Sequence, residues 1–404
     1  MLSHYMQSSS SRKLLHNCRA CNYNFGVPSF SDFHTRAENI YIPDFGEWRK
    51  LHAAWHRTDK DVDSKQLSKL LTRYLMDHSH RRDKCAKSPE NCEWCLTGVA
   101  ADDYLNRLLC DVEETCSLFA AEQIIHYGSS AEKTNILGPI DFDYGIILAN
   151  FSQSLRDPNQ IVYTGDDPTY MLLNDDDHPI NSSSLLFRFM NIIADSLQHV
   201  YSDHVSCPTV SLRETCVTIH FLYHGPHFEP ILRVNMDVTI AVKASQQPTM
   251  ISLGWFVSDV EESIVLLVPS RTGIGSQWRL SYPTLERDML LNSGDVVARV
   301  YQLLKLMVAL NHAKGNLSCE IPRKCSLSSY ALKTCLFSYM RYRYKPPPWQ
   351  PEDTFRHAMG ILRQFPVNSK EMRSFFNKEI VVFNVTMESK RAVKEIISIL
   401  NKMV

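Results

Sequence analysis

The sequence predicts an α+β fold, a mixed α/β lobe followed by a helical one, and three observations carry that reading. Between residues 123 and 268 several short segments read as strands, among them Ile231–Val242, whose alternating side chains show the two-residue period of a half-buried strand. Before them, Tyr104, Leu105, Leu108, Leu109, Val112, Cys116 and Phe119 recur at three- and four-residue steps, one stripe of a long amphipathic helix. After Trp278 the helical period returns with Val296, Val297, Val300, Leu303, Leu304, Met307 and Leu310. The chain divides accordingly into a partly helical extension (1–97), a core lobe with the long helix as its spine (98–272) and a C-terminal helical lobe (273–404).

In the extension, Asp63-Ser64-Lys65-Gln66 reads as the cap of a helix over Leu67 to Met76. The spine follows from Val99, about 20 residues and so ~30 Å long. Strands are expected at Gln123–Tyr127, Asp141–Leu148, Thr215–Tyr223, Ile231–Val242 and Ile264–Val268, with a helix at Leu185–Val200 between them. Residues 152–183 read as a polar loop whose triplet Asp175-Asp176-Asp177 is solvated. The rest is helical to the terminus, with one helix stopped by Pro346-Pro347-Pro348.

Composition narrows the function classes. The 404 residues suffice for two or three domains, and 44% hydrophobic with 22% charged residues excludes wholesale disorder. Lys and Arg number 43 against 44 acids, so a nucleic-acid partner would have to meet a local basic patch. Three clusters qualify: Arg12-Lys13 with Arg19, Arg81-Arg82 with Lys84, and Arg341-Tyr342-Arg343-Tyr344-Lys345. The first residues lack the apolar run of a signal peptide, and no stretch approaches the ~18 apolar residues that cross a bilayer. A cytoplasmic chain without membrane association is expected, with its 12 cysteines mostly free thiols. Cys18-x-x-Cys21 and Cys92-x-x-Cys95, with Cys85, could hold zinc. Their separation far exceeds the ~15–20 residues of a compact zinc module, so a structural zinc is not expected.

The chemistry concentrates in GSSAEKTNILGPIDFDYGIIL, Gly128 to Leu148. Gly128 lets backbone approach a phosphate and Ser129 can donate to it. Asp141 and Asp143 are i and i+2 on a strand, so both carboxylates share one face while Phe142 turns inward. Paired hard oxygen ligands suit Mg²⁺. The strand Ile231–Val242 offers a third: its even positions are apolar, which leaves Asp237 on the polar face. A lone Asp-x-Asp is more often a solvated turn. The preceding Gly-Ser and the single acid on the later strand favour two-metal phosphoryl or nucleotidyl transfer instead.

GSxxE with DFD, then VNMDVTIAV, WRLSYPTLERDML and LSSYALKT, resembles the cyclic GMP–AMP synthase-like receptors of the male-abnormal-twenty-one group of nucleotidyltransferases. The resemblance spans about Val99 to Lys333. It implies a bilobed nucleotidyltransferase fold that joins ATP, GTP or other nucleoside triphosphates into a cyclic dinucleotide after a foreign ligand docks along the spine. By that resemblance Asp141, Asp143 and Asp237 hold two Mg²⁺ or Mn²⁺ ions, and Gly128 and Ser129 meet the triphosphate. Arg279 and Ser281 contact the acceptor nucleotide, Glu286 lies near the bases, and Lys305 contacts triphosphate unless Val308 takes its place. Ser329 of Ser328-Ser329-Tyr330 meets phosphate, Tyr330 stacks on a base, and Lys333 follows one turn later. On their own residue types, Trp278 and Leu280 read as core, Arg279 as a surface ion pair and Tyr330 as a core tyrosine.

Two departures alter the expectation. The zinc-binding insertion of the vertebrate DNA sensor is absent, its place taken by Leu291-Asn292-Ser293-Gly294-Asp295. Double-stranded RNA, recognised by its shape and phosphates, is therefore the expected activator in innate immune sensing. Pro283 replaces a polar residue that helps select the acceptor base, which leaves the choice of GTP open. The alternative is a catalytically silent relative acting as a binding or developmental adaptor; retention of all three acids favours the enzyme.

Overall fold

The structure is a computed structural model that describes residues 45–56, 64–87, 92–136, 141–154, 161–163, 170–172, 179–213, 215–225, 232–244, 265–270, 277–312, 327–342, 353–376 and 381–404. Helices α1 (Phe45–His56), α2 (Ser64–Lys87) and α3 (Glu93–Thr115) come first. The spine is α3. Its stripe of Ala101, Tyr104, Leu105, Leu108, Leu109 and Val112 is buried, as the periodicity predicts. It ends earlier than the stripe does, because Cys116 takes an extended backbone while its N–H still bonds Val112 O. Phe119 then buries itself from a 3₁₀ turn rather than from the helix.

Strand β1 (Ala121–Tyr127) leads through the short helix α4 (Gly128–Ala131) into β2 (Asp141–Leu148). After α5 (Ala149–Ser154), β3 (Ile161–Tyr163), β4 (Tyr170–Leu172) and α6 (Ser182–Ser196) come β5 (Val205–Leu212), β6 (Val217–Tyr223), β7 (Leu232–Lys243), β8 (Leu266–Pro269) and β9 (Gln277–Ser281). These nine strands form one mixed sheet, ordered β1-β2-β7-β8-β9-β4-β3 with β6 and then β5 branching from β7. The β2–β7 pair is parallel and its register sets Asp143 opposite Asp237. Leu232, Val234, Met236, Val238, Ile240 and Val242 of β7 are fully buried, the apolar face that the alternation predicts.

Helices α7 (Pro283–Asn292), α8 (Asp295–His312), α9 (Ser329–Tyr342), α10 (Thr354–Leu362) and α11 (Met387–Asn401) follow. Pro283 opens α7, where its missing N–H costs nothing. Thr386 and Ser389 close a capping box on α11. Most of the surface of α8 is covered, since it packs on α9, α10 and α11 as well as on α2.

The α+β class stands, and five expectations are corrected. The C-terminal part is not all helical, because β10 (Glu371–Arg373) and β11 (Val381–Asn384) form an antiparallel hairpin. Residues 152–183 carry β3 and β4, and WRLS is a strand, with Tyr282 alone between Ser281 and α7. Strand β5 was not expected; its Cys207-Pro208 bulge breaks the alternation. The helix expected at Leu185–Val200 starts three residues earlier, at Ser182, with Asn181 accepting the Ser184 N–H as its cap. Asp175–Asp177, Pro346–Pro348 and Arg12, Lys13 and Arg19 lie outside the described residues, as do the side chains of Arg81, Arg82 and Lys84. Among the described residues no helix is long and apolar enough to cross a membrane.

Candidate functional site

The site begins where β1 runs into Gly128, whose φ of +72° lies in the left-handed region. A Cβ there would sit 2.0 Å from Asp143 Oδ2, so only glycine lets the chain pass over that carboxylate. Ser129 follows, its carbonyl accepting the Thr134 N–H at 2.9 Å and so tightening the loop.

Strand alternation and register then build two rows on the polar face of the sheet. The first row is Asp143, Asp237 and Thr218, on β2, β7 and β6. The second, two residues along, is Asp141, Asn235 and His220. Thr218 donates to Asp237 Oδ1 at 2.6 Å, and the guanidinium of Arg213 lies 3.3 Å from Asp237 Oδ2. Asn235 donates to Asp141 Oδ1 at 2.7 Å.

The cavity beside these rows is also lined from β9 and helices α7 to α9. On β9, Trp278 and Leu280 are buried as expected, which turns Arg279 and Ser281 to the cavity. Arg279 makes no ion pair among the described residues. Lys305 lines the cavity and donates to Thr134 O at 3.0 Å, whereas Val308 is in the core. Tyr330 is only part-buried and lines the cavity too, its hydroxyl donating to Glu286 at 2.9 Å. Lys333 is buried between Glu132 at 2.5 Å and Glu286 at 3.0 Å. One cavity of about 280 Å³ thus gathers Gly128, Ser129, Asp143, Asp237, Arg279, Ser281, Glu286, Lys305, Ser329, Tyr330 and Lys333. Asp141, exposed at the start of β2, does not line it.

The electrostatics are those of a carboxylate surplus. Burial, then the charges of Asp237, Asp141 and Glu132, push Asp143 up to about 7. Burial pulls Lys305 down to about 8, against the pull of Glu132. Burial would also discharge Lys333, but Glu132 and Glu286 overcome it and hold its pKa well above the usual lysine value. Around the cavity four carboxylates outnumber three cations.

The three aspartates are neighbours but are not gathered as a ligand set. Among the described residues no group of three His, Cys, Asp or Glu side chains could hold a metal ion. Asp141 is bonded to Asn235, and Asp237 to Thr218 and Arg213. The donor chemistry nonetheless fits Mg²⁺ or Mn²⁺. The oxygens are hard, they are in excess over cations, and Asp143 is a carboxylate whose charge the surroundings oppose. Of the cysteines, Cys92 is disulfide-bonded, against the expectation of a thiol, and Cys95 is free. Cys18 and Cys21 lie outside the described residues.

Sequence reasoning assigned no role to Glu132, though it stands in the quoted GSSAE run, nor to Arg213, Thr218, Asn235, His220 and Tyr301. The contacts of Glu132 and Tyr301 depend on chain segments far apart, and Asn235, like Glu132, stands in a quoted run of which only other residues were given a role. No protein-family model matches the chain, and no curated protein matches it at a significant level.

Proposed function

We propose that this cavity is the active site of a metal-dependent nucleotidyltransferase that joins two nucleoside triphosphates, ATP, GTP or another, into a cyclic dinucleotide. One observation carries the reading: Asp143 and Asp237, Gly128-Ser129, and the cations Arg279, Lys305 and Lys333 all line one cavity. A triphosphate is a polyanion, and these cations together with the Gly128 turn are what its oxygens require.

In this reading the sheet and the helices 283–342 are two lobes of a bilobed enzyme. Asp141, Asp143 and Asp237 would hold two Mg²⁺ or Mn²⁺ ions. When bound, these would help ionise the attacking hydroxyl and neutralise charge at the α-phosphate as pyrophosphate leaves. Ser129 and Lys305 would grip the donor triphosphate, and Arg279 and Ser281 the acceptor. Tyr330, its ring fixed through Glu286, would stack on a base. Lys333 holds Glu132 and Glu286 together, and so holds the Gly-Ser loop against α7.

The activator in this reading is double-stranded RNA in the cytoplasm, recognised by phosphate contacts. The contrary reading, a silent binding protein, draws on the engagement of Asp237 by Arg213. One assay separates them: labelled ATP and GTP, Mg²⁺ or Mn²⁺, RNA and DNA duplexes of several lengths, two salt concentrations, then phosphatase. A phosphatase-resistant product, RNA-dependent and steeply salt-sensitive, is expected. Equal activation by DNA overturns the choice of activator. No product under any condition, with nucleotide still bound, overturns the enzyme.

A further inference from the structure

Asp141 is held by a relay that crosses the sheet. It stands opposite Asn235 in the β2–β7 pair, and Asn235 stands opposite His220 in the β6–β7 pair. Asn235 Nδ2 donates to Asp141 Oδ1 at 2.7 Å, and His220 Nδ1 lies 2.7 Å from Asn235 Oδ1. Beyond the ring, Ser211 Oγ on β5 lies 3.0 Å from His220 Nε2.

Elementary donor and acceptor chemistry fixes the direction of this chain. A carboxylate only accepts, so Asn235 must present its NH₂ to Asp141 and its carbonyl to His220. That carbonyl also only accepts, so His220 must carry a proton on Nδ1. From His220 Nδ1 to Asp141 each bond thus has one direction, and the chain ends on the orientation of the Asp141 carboxylate. Asp237 is anchored differently, by the hydroxyl of Thr218 on the adjacent strand.

We propose that Asn235 and His220 are positioning residues that orient Asp141 for divalent-metal binding. The inference rests on the reading of Asp141 as a metal ligand. Hydrogen-bond partners of a ligand act by fixing its rotamer, and their loss typically weakens metal binding by ~10–100-fold.

The test is Mn²⁺ binding to the full chain, followed by the electron paramagnetic resonance signal of the free ion, with thermal melts beside it. Asn235→Leu and His220→Leu should each weaken binding by about 10–100-fold. His220→Asn places an amide nitrogen where Nδ1 was and should keep most of the affinity. Folded Leu variants that bind as the wild type does overturn the inference. If Asp237→Asn has meanwhile lost binding, the metal reading survives that result. Equal weakening by His220→Asn and His220→Leu also overturns it, because the bond from Nδ1 would then not matter. Should Asn235→Leu fail to fold, the His220 pair alone decides. No Mn²⁺ binding by the wild type overturns the inference and the metal reading together.

Discussion

Asp143 and Asp237 stand directly opposite one another across the parallel pair of β2 and β7, two carboxylates on one polar face. Strand register imposes that proximity, and burial sharpens it by raising Asp143 to about 7 from the usual 3.8. The sign of the consequence follows. Between about pH 4 and 7 the folded state keeps a proton on Asp143 that the unfolded chain has released. Metal-free stability should therefore fall as pH rises through that window, by on the order of a few kcal/mol, and level off above it.

Asp143→Asn should remove that decline and raise the melting temperature of the metal-free protein at pH 8. Under the proposed function it should also cut product formation by several orders of magnitude, as should Asp141→Asn and Asp237→Asn. Melting curves from pH 4 to 8 together with the phosphatase-protected product assay check both halves. A wild-type melting profile without the decline would refute the charge argument, and near wild-type turnover in Asp237→Asn the enzymatic one.

Lys333 bridges Glu132, which follows the Gly-Ser turn, and Glu286 of α7, and all three are buried. Removing the cation leaves two buried carboxylates facing each other. Lys333→Met should therefore cost about 3–5 kcal/mol. Adding Glu132→Gln to that variant should recover part of the loss, since one stranded charge is then gone. Denaturant titration of the single and double variants measures this; additive losses would show that the ion pair is not the source.

What the sequence made legible was whatever alternation or a motif could carry. Strand β2 runs over the expected Asp141–Leu148, and β7 buries each apolar position that its alternation marks. Eleven of the twelve candidate site residues line the cavity, because the motifs bracket both of its walls. Short strands escaped: β3, β4 and β10 have three residues each, too few for a period to register. Partnerships escaped as well. Glu132 meets Lys333 across 201 positions, and no local pattern announces such a contact. The aspartates were read as converging on the strength of one shared face, but a shared face alone does not gather them into a ligand set among the described residues.

Tyr330 lines the cavity and bonds Glu286, so its hydroxyl and its ring can be separated by experiment. Tyr330→Phe loses one hydrogen bond, about 1 kcal/mol of stability, and should keep nucleotide affinity. Tyr330→Ala should lose ~1–3 kcal/mol of nucleotide binding along with the ring. Fluorescence or calorimetric titration with ATP and GTP checks this. An Ala variant that melts early yet binds normally would make Tyr330 a packing residue.

Lys305 supplies the last prediction, since its pKa lies within reach of an ordinary titration. Burial pulls it down to about 8, and its ammonium donates to Thr134 O beside the Gly-Ser loop. The unfolded chain titrates near 10.5. Between about pH 8 and 10.5 the unfolded state therefore binds the extra proton, and the contribution of Lys305 to stability rises with pH. Nucleotide affinity should move the opposite way, because a triphosphate prefers the charged amine. Binding should weaken as pH climbs through 8 toward the higher pKa that a bound anion imposes, by up to tenfold per pH unit. Lys305→Arg stays charged throughout and should flatten that dependence, whereas Lys305→Met should bind weakly at every pH. Calorimetric titration of a nonhydrolysable triphosphate from pH 7 to 10 reads all three proteins. A wild-type profile as flat as that of Lys305→Arg would remove Lys305 from the triphosphate site.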